Sequence, residues 1–188
     1  MALNKKAWYD KAYISVSAED GNEVQLRAKT TSLNITGGNF DIESIDTFGG
    51  QIKRIGRRDD FEISFDGVAT SNQDFDWIFH GKTVETDTSI TSSSVIDYRI
   101  CLLWTDQTGV TDASQSITTS SEAYREIYAE TNMISCEKTM DAGEHLTASI
   151  KFKLPFEDSG GEINFKKEMC DTTSTLSAVS SYTSTNKF

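Results

Sequence analysis

Among the side chains that could do chemistry, the sequence offers 29 carboxylates and two histidines as the first candidates. Glu62 and Asp66 fall on one face of an alternating segment, an arrangement that a glycosidase could use. Any half-solvated strand produces the same alternation, and we favour that interpretation. His80 and His145 are far apart in sequence, and no His-x-His or HExxH spacing is present to hold a metal.

Motifs for nucleophilic catalysis and phosphate binding are missing as well. The sequence has no GxSxG elbow, no Walker loop and no GxGxxG turn. Its cysteines, Cys101, Cys136 and Cys170, are too few and too dispersed for a disulfide framework or a zinc site. Cys101 lies in an apolar run, which predicts burial. We therefore predict no catalytic residue, no metal site and no cofactor, and we expect the protein not to be an enzyme.

The segment from Gln51 to Arg58 contains a basic cluster. Its members are Lys53, Arg54, Arg57 and Arg58. Two interpretations stay open. The cluster could be an ordinary basic turn between strands, or a projection that pairs with an acidic patch on another copy, which would be a head-to-tail contact. Nucleic-acid binding is less favoured, because acidic residues border the cluster on both sides.

The composition fits a single globular domain. The chain has 188 residues and a net charge of −11. Because affinity for nucleic acid comes largely from Lys and Arg that neutralise phosphates, this balance argues against tight binding to DNA. The first residues lack the apolar stretch of a signal peptide, and no segment approaches 18 apolar residues in a row. We expect synthesis in the cytoplasm and no insertion into a membrane.

Period-two alternation of apolar and polar residues predicts a mainly β protein. The clearest segment is FEISFD at 61–66, and NFDIE at 39–43 has the same pattern. The segment ASIKFKL at 148–154 alternates until Pro155, which cannot donate to a strand ladder. Many such strands separated by turn residues predict an antiparallel β-sandwich or barrel. Further candidate strands lie at 12–18, 23–29, 96–104, 124–137 and 162–166.

One short flanking helix is predicted at 71–81. Ser71 offers an N-cap with an acidic residue three positions on, and an apolar stripe with helical spacing follows from Phe75. Gly81 suits the C-terminal cap, and His80 beside it is predicted to have a structural role at the helix end. His145 is predicted to lie in an exposed turn.

The chain is predicted to divide into a β domain at 1–156 and a Ser/Thr-rich C-terminal extension at 157–188. Either disorder or packing on a neighbouring subunit would suit the composition of this extension.

The segment 39–81 carries a resemblance to a known family. It contains a strand, a long exposed connection at 46–60 with glycines and basic residues, a strongly alternating strand and a short helix. That order resembles the tail tube (major tail) proteins of tailed bacteriophages and archaeal viruses, whose relatives include secretion-system and pyocin tubes. The closing IKFKLP resembles the last core strand of this family, so the likeness extends over residues 1–156.

The resemblance implies a hexameric ring in which the inner sheets of six copies form one continuous barrel. Stacked rings would form a tail tube, a conduit through which viral DNA passes during ejection without specific binding. Other implied partners are the tape measure and terminator proteins, and the implied location is the virion tail. Pairing between copies would also protect edge strands, which are otherwise prone to aggregate.

Residue roles follow from the resemblance and the alternation together. The side chains expected to face the lumen are those of Asp41, Glu43, Glu62, Ser64 and Asp66. An acidic lumen wall would repel DNA. The opposite side of the same strands should face the core, namely Phe40, Ile42, Phe61, Ile63 and Phe65. The basic residues expected to contact a neighbouring ring or subunit are Lys53, Arg54, Arg57 and Arg58.

Two other interpretations stay open. A monomeric β-sandwich or barrel could bind a ligand or carbohydrate through its loops, with Trp104, Trp77 and Tyr98 as stacking surfaces. A tube of a contractile injection system shares the fold of a viral tube, and the sequence does not separate the two. Size in solution distinguishes a monomeric binding module from a subunit that forms rings or polymers.

Overall fold

A computed structural model of the chain describes residues 12–19, 23–25, 29–48, 50–68, 97–118, 120–144, 147–183 and 185–188. Within these ranges the chain is mainly antiparallel β, which confirms the predicted fold class; the hexameric ring stays a prediction. The helix predicted at 71–81, including Trp77 and His80, lies outside the described residues, as does His145. The strands are β1 (Ala12–Ala18), β2 (Glu23–Gln25), β3 (Lys29–Thr36), β4 (Phe40–Thr47), β5 (Gly50–Arg58), β6 (Phe61–Val68), β7 (Tyr98–Thr105), β8 (Ala123–Thr139), β9 (Thr147–Leu154) and β10 (Phe165–Cys170).

The main sheet is antiparallel and curled. Its order is β2-β1-β7-β8-β9-β6-β3, and β10 pairs with β8 as an eighth strand. Val16 of β1 and Ile63 of β6 are both fully buried in one hydrophobic cluster, although three strands separate β1 from β6 in the sheet. Strands so far apart share a core because the sheet curls on itself. This inner core fills the resulting half-barrel.

The curl includes a bend in the 17-residue strand β8. The first half of β8 pairs with β7 and β10, and the second half pairs with β9. At the junction, Ala129 and Glu130 both lie opposite Arg99 of β7, and Glu130 has a φ of 54°. Two residues opposite one make a β-bulge, which bends a strand and increases its twist. The bulge thus separates the two halves of the curled sheet.

Strand β7 is buried on both faces. Its sequence YRICLLWT is a nearly continuous apolar run, as is typical of a fully covered strand. Ile100 and Leu102 face the inner core, whereas Cys101 and Leu103 belong to a second, outer core. Cys101 is 1% exposed, which confirms its predicted burial.

The outer core is covered by the C-terminal strap, which we define as residues 171–188. Ile117 and Leu176 are both buried and exchange two backbone hydrogen bonds of 2.9 and 3.1 Å. In this structure the strap therefore packs on its own chain. The division of the chain at residue 156, and any packing on a neighbouring subunit, stay predictions.

A separate hairpin is formed by β4 and β5. The prediction of a long exposed connection at 46–60 is wrong, because β5 occupies most of that range. Ile45 pairs with Ile52, and Ile42 with Ile55, in a ladder that contains a bulge. The bulge and the intervening basic residues interrupt the alternation that would have indicated a strand. The chain reverses between Thr47 and Gly50, which are register partners, and the φ of 133° at Gly50 suits glycine.

Candidate assembly surfaces

The strands β6 and β9 present a polar face on the side away from the inner core. In β6 the predicted alternation is confirmed: Glu62 and Asp66 are exposed, and Ser64 between them is half-buried. Three of the five residues predicted to face a lumen therefore share one face of the sheet. Their apolar neighbours are Phe61, Ile63 and Phe65, which are 9%, 0% and 2% exposed.

Two lysines of β9 lie on this polar face, which the sequence analysis did not anticipate. Lys153 is the register partner of Glu62, and Lys151 is the partner of Ser64. Lys153 also forms an ion pair with Asp60, with 3.3 Å between Nζ and Oδ2. The face therefore carries both signs of charge. The segment ASIKFKL at 148–154 could have indicated these lysines, because both alternate there with apolar residues.

Asp66 connects three strands at this face. Ser32 Oγ of β3 donates a hydrogen bond of 2.6 Å to Asp66 Oδ2. This bond, together with one from Ser149 of β9, lowers the pKa of Asp66 below its ordinary value. The carboxylate stays ionised at neutral pH.

The other two predicted lumen residues, Asp41 and Glu43, lie in β4. Among the described strands, β4 pairs with β5 and not with the main sheet, so the structure does not bring these residues together with those of β6. Glu43 is the register partner of Arg54. The side chains of Asp41, Glu43, Arg54 and Arg57 lie outside the described part of the chain, and their roles stay predictions.

The hairpin ends in an exposed aromatic residue. Phe48 at the turn has a relative exposure of 116%, so it packs on none of the residues that the structure describes. Lys53, further back on β5, is also exposed. Eight residues of strand at ~3.3 Å each place the tip about 25 Å from the hairpin base.

The hairpin base borders an aromatic cleft of about 540 Å³. Phe61, Tyr128 and Phe165 form its floor, with centroid distances of 4.9 to 5.6 Å between their rings. Phe156 adds a fourth ring, 5.8 Å from Phe61. Sequence reasoning missed this cleft because its walls come from four segments that only the fold brings together.

Two cations line the cleft. The Arg58 guanidinium lies 4.3 Å from the ring centroid of Phe156. Lys167 Nζ lies 3.3 Å from Glu126 Oε1, and the hydroxyl of Tyr128 donates to the other oxygen of Glu126 at 2.8 Å. Burial, with the negative charge of Glu126, raises the pKa of Tyr128. Arg58, Lys167 and Glu126 together carry a net charge of +1.

A buried arginine fastens the strap to the sheet. Arg125 of β8 is 1% exposed, and its Nε and Nη2 donate to Glu168 Oε2 at 2.8 and 2.5 Å. Nη1 donates to the carbonyl of Gln115 at 3.0 Å, and Nη2 also donates to the carbonyl of Ser177 at 2.6 Å. One side chain thus joins β8, β10, the loop after β7 and the strap.

A second attachment lies near the C-terminal end of the strap. Lys187 Nζ is 2.5 Å from Asp158 Oδ2 and 2.7 Å from Glu130 Oε1. Burial alone would lower the pKa of Lys187, but these hydrogen bonds and charges raise it. The hydrogen bond from Lys187 in turn lowers the pKa of Asp158.

Two of the residues considered for carbohydrate stacking, Tyr98 and Trp104, lie in packed surroundings. Tyr98 is 3% exposed, and burial raises its pKa to about 12. Trp104 is half-buried, with its ring centroid 5.6 Å from that of Tyr124. Tyr98 therefore offers no stacking surface, while Trp77 lies outside the described residues.

The described ranges contain neither a cluster of metal-ligating side chains nor a membrane-spanning helix. No three His, Cys, Asp or Glu side chains there are grouped closely enough to hold a metal ion. No helix in those ranges has the length and apolarity to cross a membrane.

Comparison with solved structures shows where this fold occurs. A chain of the anti-feeding prophage (AFP) baseplate, 6-fold symmetrised, is 8% identical with a TM-score of 0.53, covering 92% of this chain and 99% of that chain. A chain of the anti-feeding prophage cap (AFP tube terminating cap) is 17% identical with a TM-score of 0.50, covering 90% and 100%. A chain of the PVC sheath-tube complex of an extracellular contractile injection system, in the extended state, is 14% identical with a TM-score of 0.50, covering 89% and 98%.

At these identities the likeness shows a shared fold and not a shared activity. No family model matches the chain, and no curated protein matches it in sequence. The curled antiparallel sheet of this chain is thus the fold of chains that occur in tube-containing assemblies.

Proposed function

We propose that this chain is a structural, non-enzymatic subunit of a tube. Six copies would form a ring, and stacked rings would form the tail tube of a virus, a conduit for DNA in contact with tape measure and terminator proteins. The observation that carries the proposal is the fold shared over about nine tenths of the chain with chains of a tube terminating cap and a sheath-tube complex. A tube of a contractile injection system is the second candidate, favoured because one of these structures is of such a system.

The open edges of the sheet support ring formation. Within the described residues, β2 pairs with β1 alone and β3 pairs with β6 alone, so each leaves one side without a strand partner. Exposed edge strands promote pairing with other chains. Joining β3 of one copy to β2 of the next would extend the curled sheet from copy to copy until the ring closes.

The polar face of β6 and β9 is the surface that we assign to the lumen. Glu62, Ser64 and Asp66 would face passing DNA together with Lys151 and Lys153. The lysines would attract phosphates that the carboxylates repel, so the wall combines both signs of charge instead of an unbroken negative surface. Such a wall is hydrated and binds DNA weakly.

Negative-stain electron microscopy of the purified chain over a range of concentrations tests the proposal. We expect hollow tubes or stacked rings with six-fold end views. A chain that stays monomeric when concentrated, or when seeded with preformed tails, would refute the tube and favour the monomeric binding module.

The basic cluster of the hairpin provides a second test. Lys53 is exposed, so Lys53→Glu should leave the fold intact while it weakens contacts between rings and shortens the tubes. Lys138→Glu is the matched control, because it reverses another exposed lysine and gives the same net charge. Equal tube lengths for the two variants, measured by microscopy, would remove Lys53 from the proposed interface.

A further inference from the structure

Glu130, at the bulge of β8, has a backbone conformation that is rare for a residue with a side chain. Among the described residues it is the one non-glycine residue with a positive φ, which is 54°. In this left-handed region the Cβ atom crowds the following carbonyl oxygen, so a residue stays there only where its surroundings hold it. The contacts that hold Glu130 therefore also hold the bend of the strand.

The end of the strap, by which we mean Tyr182 and Lys187, binds both the backbone and the side chain of Glu130. The N–H of Glu130 donates a hydrogen bond of 3.2 Å to the hydroxyl of Tyr182, which is 3% exposed. Lys187 Nζ lies 2.7 Å from Glu130 Oε1. Two residues of the strap thus converge on one residue of the bulge.

The other residues of the bulge belong to the same network. The N–H of Ala129 donates a hydrogen bond of 2.9 Å to the carbonyl of Asn164, whose Oδ1 lies 3.3 Å from Lys187 Nζ. Arg99, which lies opposite the bulge, is fully buried, and its guanidinium is 5.5 Å from the ring centroid of Tyr182. A cation at this distance is attracted to the face of the ring. The end of the strap therefore contacts both strands at the bulge.

We infer that the end of the strap is a latch that sets the curvature of the main sheet. With Tyr182 and Lys187 docked, Glu130 is held in the left-handed conformation and β8 stays bent. With both released, Glu130 returns to the extended backbone that residues with a side chain prefer in a strand, and β8 straightens between its two paired halves. The inference concerns a single chain and does not depend on the proposed function.

The latch can open while the middle of the strap stays attached. Leu176 is bonded to Ile117, and Ser177 accepts a hydrogen bond from Arg125, so these contacts do not involve the bulge. Coupling between two sites is reciprocal. A partner that binds the released end of the strap would therefore straighten β8, and a contact that straightens β8 would release the end of the strap.

Double electron–electron resonance measures the bend. The full chain carries a nitroxide on p-acetylphenylalanine in place of Ser120 and Thr139, which are exposed and lie just before and at the end of β8. A straight strand of this length would span about 50 Å at ~3.3 Å per residue, and the bend shortens that separation.

A double variant opens the latch. Tyr182→Phe with Lys187→Gln removes one hydroxyl and one ammonium from the bulge. We expect the labels to move apart by about 3.3 Å or more, the rise of the extra residue that the bulge takes up. The matched control is Tyr124→Phe with Lys167→Gln, which removes the same two groups from Glu126 of the same strand. An equal separation in the latch variant and the control would overturn the inference.

Replacement of Glu130 distinguishes a latch from a general loss of stability. Glycine adopts a positive φ at little cost, so a bulge with glycine at this position does not need the strap. Adding Glu130→Gly to the latch variant should restore the separation of the unaltered chain, although it removes a further side chain. Glu130→Ala, added in the same way, should not restore it. Equal separations in the two triple variants would contradict the latch.

These outcomes are independent of the tube. A separation that responds to the latch in a chain that forms no tubes would support the inference and refute the proposed function. Tubes built from a chain whose separation does not respond would refute the inference and leave the proposed function standing. If both hold, the latch variant should give incomplete rings or rings of a different copy number in end views, because curvature sets the angle between neighbouring copies.

Discussion

Replacing Arg125 with methionine should destabilise the protein far more than the loss of a surface charge would. Arg125 is 1% exposed and makes four hydrogen bonds, two to Glu168 and one each to the carbonyls of Gln115 and Ser177. Methionine fills much of the same space and donates none of them. The variant leaves one carboxylate and two carbonyls without this partner.

The magnitude follows from the groups that lose a partner. Removing one member of a buried ion pair typically costs about 3–5 kcal/mol, and each unsatisfied buried acceptor costs ~1–3 kcal/mol. Glu168 is 20% exposed and retains Lys166 at 2.9 Å, so water and a second cation offset part of the loss. We therefore expect the free energy of unfolding to fall by about 3 kcal/mol.

Urea denaturation followed by circular dichroism measures this change. With a slope of about 2 kcal/mol per molar urea, a loss of 3 kcal/mol lowers the midpoint by roughly 1.5 M. The matched control is Lys166→Met, which removes the same charge from a side chain that is 45% exposed and should cost under ~1 kcal/mol. Midpoints of the two variants within 0.3 M of each other, on the order of the error of the method, would refute the reasoning.

Two further predictions concern backbone strain and acid. Gly38→Ala should lower the free energy of unfolding by about 2–3 kcal/mol, because φ is +69° and the new Cβ would lie 2.7 Å from the Phe61 ring. Gly143→Ala, with φ of +88° and no atom of the described residues within 4 Å of the new Cβ, should cost only ~1–2 kcal/mol of backbone energy, and equal losses in thermal denaturation would contradict the proposed clash. The end of the strap should detach below about pH 3.8, the ordinary pKa of an aspartate. The hydrogen bond from Lys187 lowers the pKa of Asp158. This contact therefore stabilises the folded state fully above pH 3.8, and the stabilisation is lost as the pH falls through the lowered pKa. NMR signals of the C-terminal residues should show this transition, and Lys187→Gln should remove it.

The alternating strands show how far the sequence alone predicts this protein. In β6, the alternation of apolar and polar residues predicts a core side with Phe61, Ile63 and Phe65. It predicts a solvent side with Glu62 and Asp66. The structure confirms both sides. The prediction works there because the strand has one buried and one solvated face. The same rule reveals less in β7, where both faces are buried and the run is apolar throughout.

The candidate surfaces were only partly accessible to sequence reasoning. The acidic residues of β6 were found, but Lys151 and Lys153 join them only through the pairing of β6 with β9. The basic cluster was found, but its strand conformation was missed because the β4–β5 ladder contains a bulge. Strand register depends on pairing between segments that are far apart in the chain. The sequence of one segment alone does not identify the strand with which it pairs.

The sequence by itself determined the mainly β class, the inner and outer sides of β6 and β9 and the acidic balance of the chain. These properties are local, since each depends on the chemistry of neighbouring residues and on the two-residue repeat of a strand. The tertiary structure decided the curl, the aromatic cleft and the packing of the strap. Each of these depends on contacts between residues far apart in the chain, such as Phe61 with Phe165 and Arg125 with Ser177, which exist only after the sheet has formed and curled.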